Sequence, residues 1–316
     1  IHVTAALAAG CAIPARNPAD ATAAPEQTQN APAAEPEEAV GKGYQGAYDY
    51  LANLPEDKHG ITAEELLQKL QAGDTDGLYI VDTRTPELYE AGHIKGAVNI
   101  SYDDQLPLYL DRMPDDKCIV TICIGGGNDS MATAMLTIAG KNSRYLVGGM
   151  VGQGGFEKLP GSGEFLTTEE ALPLEEEHPI DPEIKEALLH VLVDEMQSVQ
   201  GVMSGFYMVN AQLVELLGNE DYVLIDLRAP EQYEAGHIEG SVNAPFESGL
   251  QETILSYPRD KTLVFISDSG QYSAHCVPLA RLMGYEAFTL FFGVGGEDPS
   301  TSEPGSWVQE GYPLVK

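Results

Sequence analysis

The sequence predicts an α/β protein made of two similar domains, each a parallel sheet flanked by helices, that follow a disordered N-terminal tether. Three observations lead to this fold class. One stretch of the chain returns, in the same order, at an offset of 144 residues, which is the step from Cys123 to Ser267. Within each copy short apolar strands alternate with helices, which is typical of parallel sheets covered on both faces. Residues 12–46 are rich in Ala, Pro and Glu.

The N-terminal segment divides at Cys11. Residues 1–11 end in the run LAAGC, which is similar to the lipidation signal of bacterial lipoproteins in truncated form. Cys11 is therefore the expected lipidation site, with a lipid anchor to the membrane and an extracytoplasmic location at the outer membrane or periplasm. The alternative is an Ala-rich leader with a chance cysteine. Residues 12–46 cannot bury enough apolar surface to fold and are predicted to be a disordered tether.

The repeat sets the domain boundaries, because both copies show the same order of elements. The first copy is assigned to residues 47–160 and the second to residues 206–316. The predicted helices are 63–71 and 211–217, and the predicted strands are 78–81, 97–100 and 118–122 in the first copy and 222–225, 241–244 and 262–266 in the second. A glycine-rich loop follows the last strand of each copy, and a helix follows that loop; in the first copy it is predicted over residues 131–138.

The acidic segment 161–205 joins the two copies. It carries eleven acidic residues and one basic residue between positions 161 and 200. Residues 182–200 are predicted to form a helix, with Asp181 as its N-cap and Pro182 at its first position. An apolar stripe along this helix indicates a connecting helix that packs on a domain. A partner-binding helix is the alternative.

The charge balance excludes several functions. The chain holds 17 Lys and Arg against 49 Asp and Glu, for a net charge of −32. Nucleic-acid binding requires a basic face, so no nucleic acid is expected as a partner. The charge also argues against docking on anionic lipid and fits a cationic partner. Four cysteines are too few for a disulfide scaffold, and no His or Cys spacing predicts a metal site or another cofactor.

Cys123 is the predicted catalytic residue. It follows the apolar strand 118–122 and precedes a glycine-rich loop and a helix. Loop amides and a helix N-terminus are therefore expected to point at the thiol, to favour a thiolate and to hold an anion beside it. Ser267 stands at the same place in the second copy, and because a serine cannot carry sulfur, that copy is predicted to be inactive.

These motifs resemble the rhodanese superfamily in tandem arrangement, over about two thirds of the chain. The motifs are Asp82-x-Arg84, Gly92-His93-Ile94-x-Gly96-Ala97-x-Asn99, Cys123 and Gly148-Gly149 in the first copy, and Asp226-x-Arg228, Gly236-His237-Ile238 and Ser267-x-x-Gly270 in the second. In that family the loop cysteine accepts a sulfur atom as a persulfide and passes it on. The resemblance therefore implies a sulfurtransferase or sulfur carrier, whose partners are a small sulfur donor and a thiol acceptor.

The six residues after the cysteine are the predicted substrate-binding residues, because their amides can hold a terminal sulfur anion. They are Ile124, Gly125, Gly126, Gly127, Asn128 and Asp129. The glycines allow positive φ, and Asp129 or Ser130 is predicted to cap the helix.

The loop also departs from the family pattern, which usually reads Cys-x-x-Gly-x-Arg-Ser. Asn128 takes the Arg position and Asp129 the Ser position. A hydrogen bond to a charged group is worth about 1.5–3 kcal/mol, so its loss weakens anion binding by roughly ten- to a hundredfold. Thiosulfate is thus expected to be a poor donor, and a less charged donor or a persulfide delivered by a partner protein is favoured. A cysteine phosphatase is excluded because it also needs the Arg.

Other polar residues have structural interpretations. His93 and His237 occur in both copies, including the copy without a cysteine, so they are predicted to stabilise turns; Asp82 and Arg84 are predicted to anchor strand ends. The alternative function is a non-catalytic, rhodanese-like interaction or scaffold lipoprotein in a cell-envelope complex for sulfur or chalcogen compounds or electron transfer. Cys123 would then be an unused relic, and the partner an envelope protein.

Overall fold

The fold is described from a computed structural model. It covers residues 41–102, 106–170, 172–174, 176–194, 205–296, 302 and 304–316. The predicted lipidation site Cys11 and the predicted tether up to residue 40 lie outside these residues. Within the described part of the chain, no helix combines the length and the apolar character needed to cross a membrane.

The first domain is built on a five-stranded parallel sheet. Its elements in chain order are α1 (Lys42–Ala52), β1 (Gly60–Ile61), α2 (Ala63–Ala72), β2 (Leu78–Asp82), α3 (Pro86–Ala91), β3 (His93–Ile94), β4 (Val98–Asn99), β5 (Cys118–Ile122), α4 (Gly127–Ile138), β6 (Ser143–Leu146) and β7 (Leu166–Thr167). The strand order is β1-β6-β5-β2-β4 with every pairing parallel, while β3 and β7 form a separate antiparallel pair.

The second domain repeats this topology. Between the two domains lies α5 (Pro182–Leu189), which continues as a π-helical segment, His190–Asp194. The elements that follow are β8 (Tyr207–Met208), α6 (Asn210–Leu216), β9 (Tyr222–Asp226), α7 (Pro230–Ala235), β10 (Val242–Asn243), α8 (Leu250–Leu255), β11 (Thr262–Ile266), α9 (Gln271–Leu282) and β12 (Glu286–Leu290). The parallel sheet has the order β10-β9-β11-β12-β8, which matches the first domain strand for strand and confirms the predicted fold class.

The central strands form where the apolar runs predict them. β5 and β11 have the predicted bounds, and four of the five residues in each are fully buried. Helices cover both faces of such strands, so both alternating sets of side chains must be apolar. The connecting helix also begins as predicted, because the Asp181 carboxylate accepts the N–H groups of Glu183 and Ile184 at 3.0 and 3.4 Å. Residues 195–200 of the predicted helix lie outside the described residues.

The two domains share one hydrophobic core. α4 and α9 occupy equivalent places in the two copies and pack against each other. Buried side chains from both, among them Met135 and Leu279, belong to one cluster that also includes Leu188 and Leu192 from the connecting segment. Each domain has a second, smaller core on the other face of its sheet.

The predicted tether extends too far, because α1 begins at Lys42 rather than after residue 46. This helix is short of large aliphatic residues, which made it resemble the polar segment before it. It packs through small residues instead. A side chain at Gly43 would overlap Ala187, and one at Gly46 would contact Ile138 at 2.8 Å, so α1 lies close to both α5 and α4.

The first domain also extends past its predicted end at residue 160. Leu166 and Thr167, which were assigned to the linker 161–205, pair with Ile94 and His93. The Lys95 amide further donates to the Phe165 carbonyl at 2.8 Å. These pairings are long-range in sequence, and a two-residue strand gives too short a pattern to be predicted.

Candidate functional site

The candidate site is a cavity of about 660 Å³ at the carboxyl ends of the central strands. This is the edge at which open parallel sheets bind ligands. Both domains line the cavity, since the Cys123 loop of the first domain and the Ser267 loop of the second reach it. The walls are mainly apolar and aromatic. They include Leu88, Ile124, Tyr145, Val147, Tyr207, Tyr272, Phe291 and Phe292.

Cys123 lies on this cavity, directly after β5, with 6% of its surface exposed. The Gly126 amide donates to its Sγ at 2.9 Å. The amides of Gly125 and Asp129 also hydrogen-bond to the sulfur and lower the pKa of the thiol. The carbonyl of Cys123 accepts the Met150 amide at 2.9 Å, which ties the loop to the turn after β6. Part of the predicted amide cradle is therefore present.

The six predicted binding residues take different places. The Ile124 side chain is half exposed at the rim of the cavity, and Gly125, Gly127 and Asn128 line it. Of the three glycines, Gly126 has positive φ, at +106°. It is also the N-cap of α4, without a side-chain cap. The predicted caps are thus wrong, because the helix begins four residues before the predicted start and Asp129 and Ser130 fall within its first turn.

Asp129 is the residue whose place was least expected. It is fully buried, and its Oδ2 accepts the Cys123 amide at 3.2 Å. The Cys123 side chain adjoins this carboxylate and favours its charged form. Oδ1 has no hydrogen-bond partner among the described residues. Burial raises the pKa of Asp129 to about 8, since few polar groups compensate for the lost hydration.

The expectation of a stabilised thiolate is wrong. Burial, followed by the nearby Asp129 carboxylate, raises the pKa of Cys123 far above its ordinary value, and the loop amides offset this only in part. Among the described residues that line the cavity, Arg84 is the single cation. Its guanidinium is already paired with Asp82, with Nη2 at 2.7 Å from Oδ2. On the described cavity wall, no unpaired cation therefore opposes burial and the Asp129 charge, which both favour the neutral thiol.

A pH dependence of stability follows from Asp129. The folded protein keeps a proton that the unfolded chain releases above its ordinary pKa of 3.8. This stabilising contribution is complete below that value and is lost as the pH rises through about 8, at about 1.4 kcal/mol per pH unit. Asp129→Asn lacks this titration. Its free energy of unfolding, relative to that of the natural protein, is therefore expected to rise between about pH 5 and about pH 8. Urea titrations at several pH values measure the difference, and parallel curves for the two proteins would contradict it.

The second domain braces the Cys123 loop. The Tyr207 hydroxyl donates to Asn128 Oδ1 at 2.7 Å, and Gln271 Oε1 accepts the Gly148 amide at 3.2 Å. A side chain at Gly126 would overlap the Gln271 amide, and one at Gly127 would overlap the Tyr207 hydroxyl. Sequence reasoning missed both contacts, because they depend on how the two sheets face each other.

The second loop is a serine version of the first. Ser267 Oγ accepts the amides of Gly270 and Ser273 at 3.2 and 3.3 Å, and pairs with Ser273 Oγ at 3.0 Å. Ser273 is the counterpart of Asp129 at the offset of 144 residues. The two loops thus share their backbone contacts and differ in the nucleophile and in the group that hydrogen-bonds to it.

The repeated histidines have structural contacts. The Nδ1 atoms of His93 and His237 lie 2.9 and 3.0 Å from the carbonyls of Tyr89 and Tyr233, on whose rings the imidazoles stack. Neither histidine lines the cavity. The Arg84 guanidinium bridges Asp82 and the Gly92 carbonyl, so it anchors the end of β2 as predicted. Within the described residues, no group of three or more metal-ligating side chains is placed to hold a metal ion.

Comparison with known proteins gives matches to both copies. The Rhodanese-like domain family matches residues 62–153 and 209–294. A tRNA sulfurtransferase from Thermoplasma volcanium is 27% identical over 144 residues, which are 45% of this chain and 29% of that protein. The chain therefore spans less than a third of that relative.

Two solved structures cover both domains. A thiosulfate sulfurtransferase from Pseudomonas aeruginosa is 23% identical, with 87% of this chain and 50% of that chain covered and a TM-score of 0.33. A 3-mercaptopyruvate sulfotransferase from Escherichia coli is 17% identical, with 76% and 99% covered and a TM-score of 0.35.

Proposed function

Because this chain belongs to the rhodanese-like domain family, we propose that it is a rhodanese-type sulfurtransferase or sulfur carrier that forms a persulfide on Cys123. The observation that carries the proposal is the Gly126 amide, which donates to Cys123 Sγ at 2.9 Å on the wall of a cavity large enough for a small organic molecule. An amide in this position can also stabilise the negative charge of a sulfur anion.

The proposed transfer has two halves. Cys123 Sγ attacks the outer sulfur of a donor, and the sulfur–sulfur bond of the donor breaks as the new bond forms. An acceptor thiol then attacks the outer sulfur of the Cys123 persulfide and restores the thiol. Sulfur moves between thiols in both halves, so the cycle needs no metal and no external oxidant.

The cavity supports a donor of low charge. Its walls are mainly apolar, and its Arg84 is paired with Asp82. The position at which the family usually has Arg is occupied by Asn128, which accepts a hydrogen bond from Tyr207. A neutral persulfide, or one delivered on a partner protein, suits this site better than thiosulfate.

Restoring the cation tests this donor preference. Asn128→Arg is expected to raise the rate of sulfur transfer from thiosulfate to cyanide by roughly ten- to a hundredfold, because a hydrogen bond to a charged group is worth about 1.5–3 kcal/mol. Asn128→Gln is the matched control, since it lengthens the side chain without adding charge. An equal gain in both variants would show that the missing charge does not limit thiosulfate use.

Persulfide formation is the direct test of the function. The full chain is incubated with benzyl hydropersulfide or thiosulfate, and each cysteine-containing peptide is weighed by mass spectrometry. The peptide of Cys123 is expected to gain one sulfur atom that cyanide removes. Cys276 is fully buried in α9 and serves as the internal control. If no donor adds sulfur to Cys123, the proposed function is wrong.

A second candidate is a non-catalytic interaction module. The buried, protonated thiol beside a carboxylate favours it, because such a thiol is a poor nucleophile. In this case Cys123→Ser would leave the cellular role unchanged. The same envelope protein would be recovered with this variant and with the natural protein.

The location is proposed from the LAAGC run at positions 7–11. Lipidation of Cys11 would hold the protein on the extracytoplasmic side of a bacterial membrane. Cys11→Ala is then expected to move the protein from the membrane fraction to the soluble fraction. Unchanged membrane association would contradict the anchor.

A further inference from the structure

The buried Asp129 carboxylate beside Cys123 is compensated only in part by hydrogen bonds. Its Oδ2 accepts the Cys123 amide at 3.2 Å, whereas its Oδ1 has no hydrogen-bond partner among the described residues. A buried carboxylate without compensating hydrogen bonds costs stability. The second copy avoids this cost, because Ser273 takes the same position there and pairs with Ser267 Oγ.

Few titratable or charged groups surround this carboxylate. Directly after β5 it adjoins the Cys123 side chain, and on β6 lies Tyr145, whose pKa is raised by burial and further by Tyr272 and the Asp129 charge. The rings of Tyr50 from α1 and His275 from α9 lie beyond, with His275 at 5.1 Å from the Tyr145 ring. Burial lowers the pKa of His275 to about 3, so this ring is neutral. The main causes of the pKa shift of Asp129 are burial and neighbouring hydrogen-bond donors, and none of these is a cation.

We propose that Asp129 is a catalytic residue that takes the proton of the Cys123 thiol and returns it to the leaving group when an organic persulfide donates sulfur. This inference rests on the proposed function and adds to it a second reacting residue and a donor class. It gives the carboxylate beside the thiol a chemical role that a serine in this position would not have.

The step balances with a donor R–S–SH. Cys123 Sγ bonds to the terminal SH sulfur as the S–S bond of the donor breaks, and the bonding pair leaves with the R–S sulfur. The Cys123 proton passes to the Asp129 carboxylate and from there to the R–S⁻ leaving group. The products are the Cys123 persulfide and R–SH. No net charge, oxidant or reductant enters the site.

Two features of the site suit this step. A general base works best when its pKa lies near the working pH, and burial places that of Asp129 at about 8 rather than near 4. The apolar walls can hold the R group of the donor. A negatively charged donor would instead be repelled when Asp129 is ionised.

The test compares Asp129→Asn and Asp129→Ser with the natural protein. Asp129→Ser is expected to fold, because Ser273 occupies the same position in the second domain. Two rates are measured at Cys123 from about pH 6 to about pH 10: alkylation by iodoacetamide and sulfur uptake from benzyl hydropersulfide, both by peptide mass spectrometry.

In the natural protein the alkylation rate is expected to rise with an inflection near pH 8, and sulfur uptake is compared among the three proteins at each pH because the donor also titrates. Both variants are expected to lose this inflection and to react at least about a hundredfold more slowly at neutral pH, the lower end of what a general base contributes. If either variant reacts as fast as the natural protein or faster, Asp129 only suppresses the thiolate, and the inference is wrong. If alkylation depends on Asp129 but no persulfide forms on Cys123, Asp129 still acts as the base for Cys123, and the proposed sulfur transfer is wrong.

Discussion

Cys123→Ser is expected to abolish sulfur transfer while the fold stays intact. A serine hydroxyl cannot carry sulfane sulfur, and no second cysteine lines the described cavity. The rate of transfer should therefore fall by more than about a thousandfold, as it does when a covalent nucleophile is removed. Transfer from benzyl hydropersulfide to an acceptor thiol measures the effect.

The Cys123→Ser variant is expected to fold, because the second domain has a serine in the equivalent loop. Ser267 already stands at the equivalent position in a loop with the same amide contact, from Gly270 at 3.2 Å. Cys118→Ser is the matched control, because Cys118 lies at the start of β5, away from the cavity. Full activity of Cys123→Ser, or equal losses in both variants, would refute Cys123 as the nucleophile.

Gly126→Ala is expected to destabilise the protein by about 2–5 kcal/mol. A residue with a Cβ costs roughly 1–2 kcal/mol at positive φ, and forcing a methyl group against a packed side chain adds about 1–3 kcal/mol. Both costs apply at Gly126, because its φ is +106° and Gln271 occupies the space that a Cβ would need. Urea unfolding measures the loss.

Two further variants separate these contributions. Gly73→Ala has positive φ at +69° but nothing within 4 Å of its added carbon, so it should show the backbone cost alone. Adding Gln271→Ala to Gly126→Ala removes the overlap and should recover part of the stability. If Gly126→Ala costs no more than Gly73→Ala, the second domain does not press on the loop as described.

The sequence predicted the strands of the site better than its loop. β5 and β11 have their predicted bounds because apolar, β-branched runs have few alternatives to a buried strand. The start of α4 was missed because three consecutive glycines resemble a loop. Gly127 nevertheless begins the helix, since Gly126 adopts the positive φ that turns the chain into it.

The electrostatics of the site could not be predicted from the sequence. The motif shows that amides follow Cys123 and therefore indicates a thiolate. It does not show that the thiol is enclosed or that the Asp129 side chain turns towards it rather than towards solvent. These two facts reverse the direction of the pKa shift of Cys123. Burial depends on contacts distant in sequence, such as those of Tyr207 and Gln271 with this loop.

The shared core of α4 and α9 has a consequence for folding. Since one hydrophobic cluster contains side chains from both copies, neither copy can open without exposing apolar surface of the other. The two halves should therefore melt together in one calorimetric transition instead of two. A fragment cut between the copies would expose the apolar face of a helix that is buried in the full chain, and it would be prone to aggregate. Each domain is therefore expected to need the other in order to fold.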